Sequence, residues 1–175
     1  MDVHRFEKIW FALSLVLIVA WISTVAYGAL GPGVQMVDES GGQVDPAAVA
    51  DDPGAADNFR EPGVYRTGED EYAVYVFAQQ FQFQPGTQAP IRVPAGSTVT
   101  FHMTSTDVIH GFDVPGTNLN TMVIPGQVTK VTVEFEEPAT YGIVCNEYCG
   151  AGHHTMEGRL VVVPESRFNA SEVSR

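Results

Sequence analysis

Residues 128–135, Val-Thr-Lys-Val-Thr-Val-Glu-Phe, alternate apolar and polar side chains along most of their length. A period of two turns one face of an extended strand toward a core and the other toward solvent. The alternation returns in residues 98–104, and together these runs predict half-buried antiparallel strands. Further β-type runs lie between Gly and Pro residues, at 72–77, 91–93, 140–145 and 158–163. Their even spacing predicts an all-β sandwich over residues 61–165.

The N-terminal part has a different character, because residues 9–30 form a run of 22 without a charge. As a helix this run would be about 33 Å long, enough to cross a hydrocarbon core of about 30 Å. The apolar region of a secretory signal peptide is shorter, about 7–15 residues. We therefore predict one transmembrane anchor in the plasma membrane. Arg5 and Lys8 precede it and the next basic residue is Arg60, which favours a cytoplasmic segment 1–8 and an exported remainder.

The segment between anchor and sandwich, residues 31–60, is rich in Gly, Pro, Ala and Asp and has no sustained periodicity. Such a composition is typical of irregular chain, so we predict a flexible linker here. Residues 166–175, beyond the last predicted strand, are expected to form a C-terminal tail. The expected order is thus a cytoplasmic N-terminus, an anchor, a linker, one β domain and a tail.

The chain is strongly acidic, with a net charge of −12, and contains two lysines, Lys8 and Lys130. Residues 1–30 contain equal numbers of acidic and basic residues. The whole excess of negative charge therefore lies in residues 31–175, which contain 19 acidic and 7 basic residues. Phosphate would be repelled by this surface, which excludes nucleic acid as a partner. Two explanations remain open: steering of a cationic redox donor, or a halophile-like surface that stays soluble in concentrated salt. The diffuse distribution favours the second.

The chemistry is concentrated in Cys145-Asn-Glu-Tyr-Cys149-Gly-Ala-Gly-His153-His-Thr-Met156, between the last two predicted strands. Thiolate and thioether ligands select copper among biological metals, and imidazole also suits copper. A second imidazole, His110, follows the 98–104 strand. One alternative is a Cys145–Cys149 disulfide, common in exported domains, but it leaves both histidines and Met156 unexplained. The other is a Cys2His2 zinc site, which does not use methionine.

The number of thiolates predicts how many copper ions the site holds. A mononuclear blue-copper site uses one Cys, two His and a weak axial Met. Here a second cysteine follows the first by four residues, and two sulfurs can bridge two copper ions. His110 and His153 would then be terminal ligands, with Met156 and a backbone carbonyl as weak outer ligands. A site of this kind transfers electrons and need not bind a substrate.

Cys-x3-Cys-x3-His-x2-Met, together with Asp-Val-x-His-x-Phe at residues 107–112, resembles the dinuclear copper (CuA) signature of cytochrome c oxidase subunit II. Residues 6–8, 116–120 and 125–126 resemble those of single-helix, B-family oxidases. The resemblance implies a cupredoxin-like Greek-key sandwich and an oxidoreductase subunit. This subunit would receive electrons from a cytochrome c or a small blue-copper protein and pass them to the haem–copper subunit I, which reduces oxygen.

The resemblance also assigns roles to individual residues. Cys145 and Cys149 would bridge the two copper ions. His110 and Met156 would bind one copper, and His153 and the backbone carbonyl of Glu147 the other.

Three further roles come from the resemblance alone. The Glu147 carboxylate would help to hold a magnesium ion against subunit I. Phe81 would lie over the copper loop and mark where the donor docks, unless it is core packing. Glu7 would lie at the mouth of a proton path, unless it is a solvated interfacial charge.

Two other functions stay open: the CuA subunit of a nitric oxide reductase, and a copper-binding or copper-delivery membrane protein without redox function. The second cysteine favours electron entry over delivery.

Overall fold

The computed structural model describes residues 4–30 and 39–169. The chain divides between Val34 and Gln35 into a helical unit and a β domain. The expectations for residues 1–3, for 31–38 of the linker and for 170–175 of the tail lie outside the described residues.

The helical unit consists of α1, Arg5–Leu30, which begins four residues before the uncharged run. Its first turn is polar, and the backbone N–H of His4 donates to Oε2 of Glu7 at 2.9 Å. Glu7 therefore satisfies a backbone donor where the helix begins, as in one half of a capping box. Residues Arg5–Tyr27 are long and apolar enough to cross a membrane by length and composition.

The described β domain has ten strands, whose order along the chain interleaves two sheets. They are β1 (Gly63–Arg66), β2 (Glu71–Gln79), β3 (Gln82–Gln84), β4 (Ile91–Pro94), β5 (Ser97–Ser105), β6 (His110–Asp113), β7 (Asn120–Val123), β8 (Thr129–Phe135), β9 (Ala139–Val144) and β10 (Glu157–Val163). One sheet has the order β1-β2-β5-β8, with β3 paired to β2, and the other has the order β4-β10-β9-β6-β7. The predicted β-sandwich is confirmed.

Two of the strand pairs are parallel, which differs from the antiparallel sheet that the alternation suggested. β5 runs parallel to β2, and β10 parallel to β4. The reason is topological: between β2 and β5 the chain leaves the first sheet to form β4 in the second. A strand that returns after such a crossover can lie parallel to the one it left.

The core lies between the two sheets and is built by the alternating residues. In β8, Val131, Val133 and Phe135 are buried, while Thr132 and Glu134 between them are half-buried or exposed. The same alternation buries Phe101 in β5. Burying one such side chain contributes about 1.5–3 kcal/mol, so the pattern fixes which face of each strand turns inward.

Part of the segment expected to be a flexible linker is ordered against the domain; we call residues 39–59 the covering segment. It contains a short helix α2, Pro46–Asp51, whose N-cap Asp45 accepts a hydrogen bond from the Ala47 N–H at 2.9 Å. Three of its apolar residues are buried in a second cluster with two residues of the domain, the cluster being Val44, Val49, Phe59, Phe77 and Val128. Widely spaced apolar residues gave no periodic signal, yet together they cover the outer face of β2.

Candidate metal centre

The loop between β9 and β10 carries most of the predicted ligands. Its ends are joined because the backbone N–H of Cys145 donates to the carbonyl of Met156 at 3.2 Å. His153 opens a short 3-10 turn within the loop. His110 is the first residue of β6, and β6 pairs with β9 in the same sheet. Neighbouring strands therefore bring His110 to the loop although it lies 35 residues before Cys145.

The structure brings the five predicted side-chain ligands together. The Cys145 Sγ lies 3.8 Å from the Cys149 Sγ and 3.9 Å from Nδ1 of His110. The Cys149 Sγ lies 3.6 Å from Nδ1 of His153 and 3.7 Å from the Met156 Sδ. The Met156 Sδ is 3.2 Å from Nδ1 of His110. The ligand atoms of His110, Cys145 and Cys149 all lie within 4.8 Å of one another.

The cluster is closed to solvent on most sides. His110, Cys145, Cys149 and Met156 are buried, and His153 is half-buried. Both cysteines are free thiols, and their separation is nearly twice the disulfide bond length of about 2.05 Å. A Cys2His2 zinc site would leave the buried thioether without a role. Two thiols, two imidazoles and a thioether in one buried cluster are the soft donor set that suits copper.

Asp107 fixes the orientation of the His110 ring. Nε2 of His110 donates to Oδ1 of Asp107 at 2.8 Å, so Nδ1 carries the free lone pair and faces the sulfurs. Burial raises the pKa of Asp107, but hydrogen bonds from His110 and from the N–H groups of Gln80 and Val108 outweigh burial and hold the pKa below its usual value. Asp107 was not among the predicted site residues. Its position three residues before a ligand histidine is the sequence feature that could have predicted this role.

The Cys149 thiol has a raised pKa, of about 11, first because it is buried and then because of the hydrogen bond and charge of Cys145. Without metal the thiol therefore stays protonated at neutral pH. Because a metal binds the thiolate, metal uptake at this position displaces a proton.

Phe81 packs directly against the ligand loop. Its half-buried ring occupies the space beside two glycines, and a Cβ added to Gly152 would lie 2.5 Å from the ring. A Cβ on Gly150, whose φ is +133°, would lie 3.3 Å from the same ring. The ring fits against the loop because Gly152 has no side chain, while at Gly150 a Cβ would instead meet Nε2 of Gln80 at 2.6 Å.

Two predicted site residues remain, Glu147 on the ligand loop and Glu7 in α1. The backbone carbonyl of Glu147 accepts a hydrogen bond from the Cys145 thiol at 3.2 Å, while the Glu147 side chain is exposed. Glu7 belongs to the helical unit, where its carboxylate caps α1.

A β-sandwich with soft ligands gathered on the loop between its last two strands is the arrangement of the cupredoxin-like copper proteins. The domain belongs to that class by fold and by donor set. The known proteins that it resembles narrow the class further.

The family "Cytochrome C oxidase subunit II, periplasmic domain" matches residues 75–163. Cytochrome c oxidase subunit 2 of Thermus thermophilus is 43% identical over 159 residues, covering 90% of this chain and 91% of the relative. A heme-copper terminal oxidase structure has a chain with 32% identity and a TM-score of 0.66, covering 90% of this chain and 99% of that one. The periplasmic domain of subunit II (CoxB) of Bradyrhizobium japonicum shares the fold, at 20% identity and a TM-score of 0.51, over 55% of this chain and 86% of that one.

The chain belongs to the cytochrome c oxidase subunit II family. It is an oxidoreductase subunit of a haem–copper oxidase, which implies subunit I as its partner. The family binds copper, and the cluster of His110, Cys145, Cys149 and Met156 is the candidate site. The apolar helix and the periplasmic-type domain fit a membrane protein with an extracytoplasmic domain. The nitric oxide reductase and copper-delivery alternatives are not favoured by these relatives.

Proposed function

We propose that this chain is the electron-entry subunit of its oxidase and that its site holds two copper ions. The observation that carries the proposal is the pairing of donors around two sulfurs. The Cys145 thiol lies beside Nδ1 of His110, and the Cys149 thiol beside Nδ1 of His153, at 3.9 and 3.6 Å. A single copper would leave the second thiolate surplus.

Each residue of the site has a proposed role in binding the two metal ions. Cys145 and Cys149 would bridge the metals; His110 with Met156, and His153 with the Glu147 carbonyl, would complete the two coordination spheres. The 3.2 Å contact between Met156 and His110 supports the first pairing. When bound, the copper pair supplies one-electron transfer with little change in its bonds. The protein contributes burial, which limits solvent reorganisation, and Asp107, which holds one imidazole in place.

Copper analysis and electron paramagnetic resonance of the purified full-length chain test this proposal. We expect two coppers per chain and hyperfine splitting from two equivalent copper nuclei. A blue single-copper spectrum, or tight zinc binding without copper uptake, would refute the dinuclear site.

We propose that the donor docks on the apolar surface around the ligands. In the described part of the β domain, the exposed large apolar side chains are Val108, Ile109, Met122, Val144 and Tyr148. Four of them lie within two residues of a proposed ligand along the chain. The fifth, Met122, pairs across the sheet with Gly111, the residue after His110. An apolar surface at the metal suits brief contact with a cytochrome c or a small blue-copper protein. Phe81, whose ring packs against Gly150 and Gly152 of the loop, would belong to the same surface.

The docking proposal is tested by steady-state donor oxidation. Tyr148 is the most exposed of the five side chains, at 79%, so its removal leaves the fold intact. Because the Tyr148 ring also lies 5.8 Å from the ring of His153, the copper content is measured on the same variant. We expect Tyr148→Ala to raise the KM for the donor and to keep both coppers. Equal KM values for Tyr148→Ala, Phe81→Leu and the wild type would exclude donor binding on this surface.

Three finer assignments are proposed with their own tests. We propose a cytoplasmic N-terminus; labelling of an N-terminal tag from outside intact cells would contradict it. The Glu147 carboxylate, exposed on the ligand loop, is proposed as a magnesium ligand at the subunit I interface; unchanged magnesium content in Glu147→Gln complexes would exclude this. Glu7 is proposed to lie at the mouth of a proton path, which unchanged proton uptake in Glu7→Gln would refute.

A further inference from the structure

Gln80 contacts both chain segments that supply the proposed copper ligands. It lies in the turn between β2 and β3, where its backbone N–H donates to Oδ2 of Asp107 at 2.7 Å. Oδ1 of the same carboxylate accepts from Nε2 of His110. The side-chain amide of Gln80 donates to the backbone carbonyl of Cys149, 69 residues further along the chain.

We infer that Gln80 is a positioning residue that holds the Cys149 loop at a fixed distance from the His110 segment. The inference rests on the copper site proposed above. The hydrogen bond to the Cys149 carbonyl fixes the peptide plane between Cys149 and Gly150. Gly150 has a φ of +133° and no side chain of its own to hold that plane, and the Gln80 amide lies directly against it. The direction of the Cys149 Sγ depends on it.

The geometry makes this role separable from folding. Gln80 is exposed, so water can satisfy the Cys149 carbonyl when the amide is removed. Every replacement except proline keeps the backbone N–H that holds Asp107. Gln80→Ala therefore removes the contact with Cys149 alone and leaves the His110 side intact. Gln80→Glu has the same shape but places a carboxylate against the carbonyl, which replaces attraction by repulsion.

The first measurement is copper release from the loaded full-length chain into a copper chelator. Partners of metal ligands are typically worth about 10–100-fold in metal affinity. Since Gln80 acts on the backbone of a ligand, we expect about tenfold faster release in Gln80→Ala and still faster release in Gln80→Glu. The matched control is Gln88→Ala, which removes an exposed glutamine amide that donates to Oε1 of Gln82. It should release copper as the wild type does.

The second measurement needs no copper. In the metal-free chain, glutathione disulfide can oxidise Cys145 and Cys149 to a disulfide, while the two electrons and two protons pass to two glutathione thiols. The sulfurs must close from 3.8 Å to about 2.05 Å, and both are buried, so the rate reports opening of the loop. The loss of one hydrogen bond predicts about fivefold faster oxidation in Gln80→Ala.

The outcomes separate the possibilities. Faster release and faster oxidation with an unchanged melting temperature of the metal-free chain support positioning. Wild-type rates in Gln80→Ala overturn it, and so does a melting temperature that falls in parallel with the rates, because the role would then be structural. If the wild type takes up no second copper, the proposed function fails, whereas the oxidation rates still decide whether Gln80 restrains the loop.

Discussion

Replacement of Phe59 by alanine is expected to destabilise the β domain strongly, although a flexible linker was predicted here. The Phe59 side chain is 1% exposed and packs with Val49 and Phe77. Its ring meets Tyr75 edge-on, with centroids 5.4 Å apart. The substitution leaves a cavity between the covering segment and the outer face of β2.

The magnitude follows from the burial. A buried Phe→Ala change costs about 3–5 kcal/mol, a large share of the roughly 5–15 kcal/mol that stabilises a domain. For a chain of this size, each kcal/mol lowers the melting temperature by about 2–4 °C. We therefore expect a fall of about 6–20 °C in Phe59→Ala. A fragment that begins at residue 61 should lose more, because it also lacks Val44 and Val49.

The assay is thermal unfolding of a metal-free fragment of residues 39–175, followed by circular dichroism. Gln43→Ala is the matched control, because it lies in the same covering segment with an exposed side chain and should melt within about 2 °C of the wild type. If Phe59→Ala and the control had the same melting temperature, the covering segment would contribute nothing to the stability of the domain.

Three other predictions concern the site and the surface. Cys149→Ser should abolish the hyperfine pattern of two equivalent coppers, because one sulfur cannot bridge as two do; an unchanged spectrum would overturn the ligand assignment. Met156→Leu should keep two coppers and shift the reduction potential, measured by redox titration, since a weak outer ligand tunes the site without building it; loss of copper would contradict this. The net charge of −12 predicts a melting temperature that keeps rising into molar KCl, where the Debye length falls to about 3 Å. A melting temperature that stays flat with salt, combined with donor oxidation that slows sharply, would favour electrostatic docking instead.

The long strands could be predicted because each carries its own pattern. β5 and β8 contain enough alternating residues to show a period of two, and β2 contains a continuous run of β-type apolar residues. The predicted bounds of all three agree with the structure to within two residues. β6 and β7 have four residues each, and β6 includes a glycine. Short strands of this kind exist because a neighbouring strand supplies their hydrogen bonds, so their own residues carry little signal.

What the sequence determined by itself is the donor set, because four ligand side chains lie within twelve residues and soft donors select copper wherever a loop gathers them. The apolar run before the domain is likewise recognisable from the sequence alone, because its length and composition are those of a helix that crosses a membrane. Only the tertiary structure decided the surroundings of the site. Asp107 reaches His110, and Gln80 reaches Cys149 from 69 residues away, because the two sheets bring separate strand ends together. The covering segment is ordered for the same reason: its apolar side chains are too sparse to form a pattern and are buried only where the sheet already offers a face.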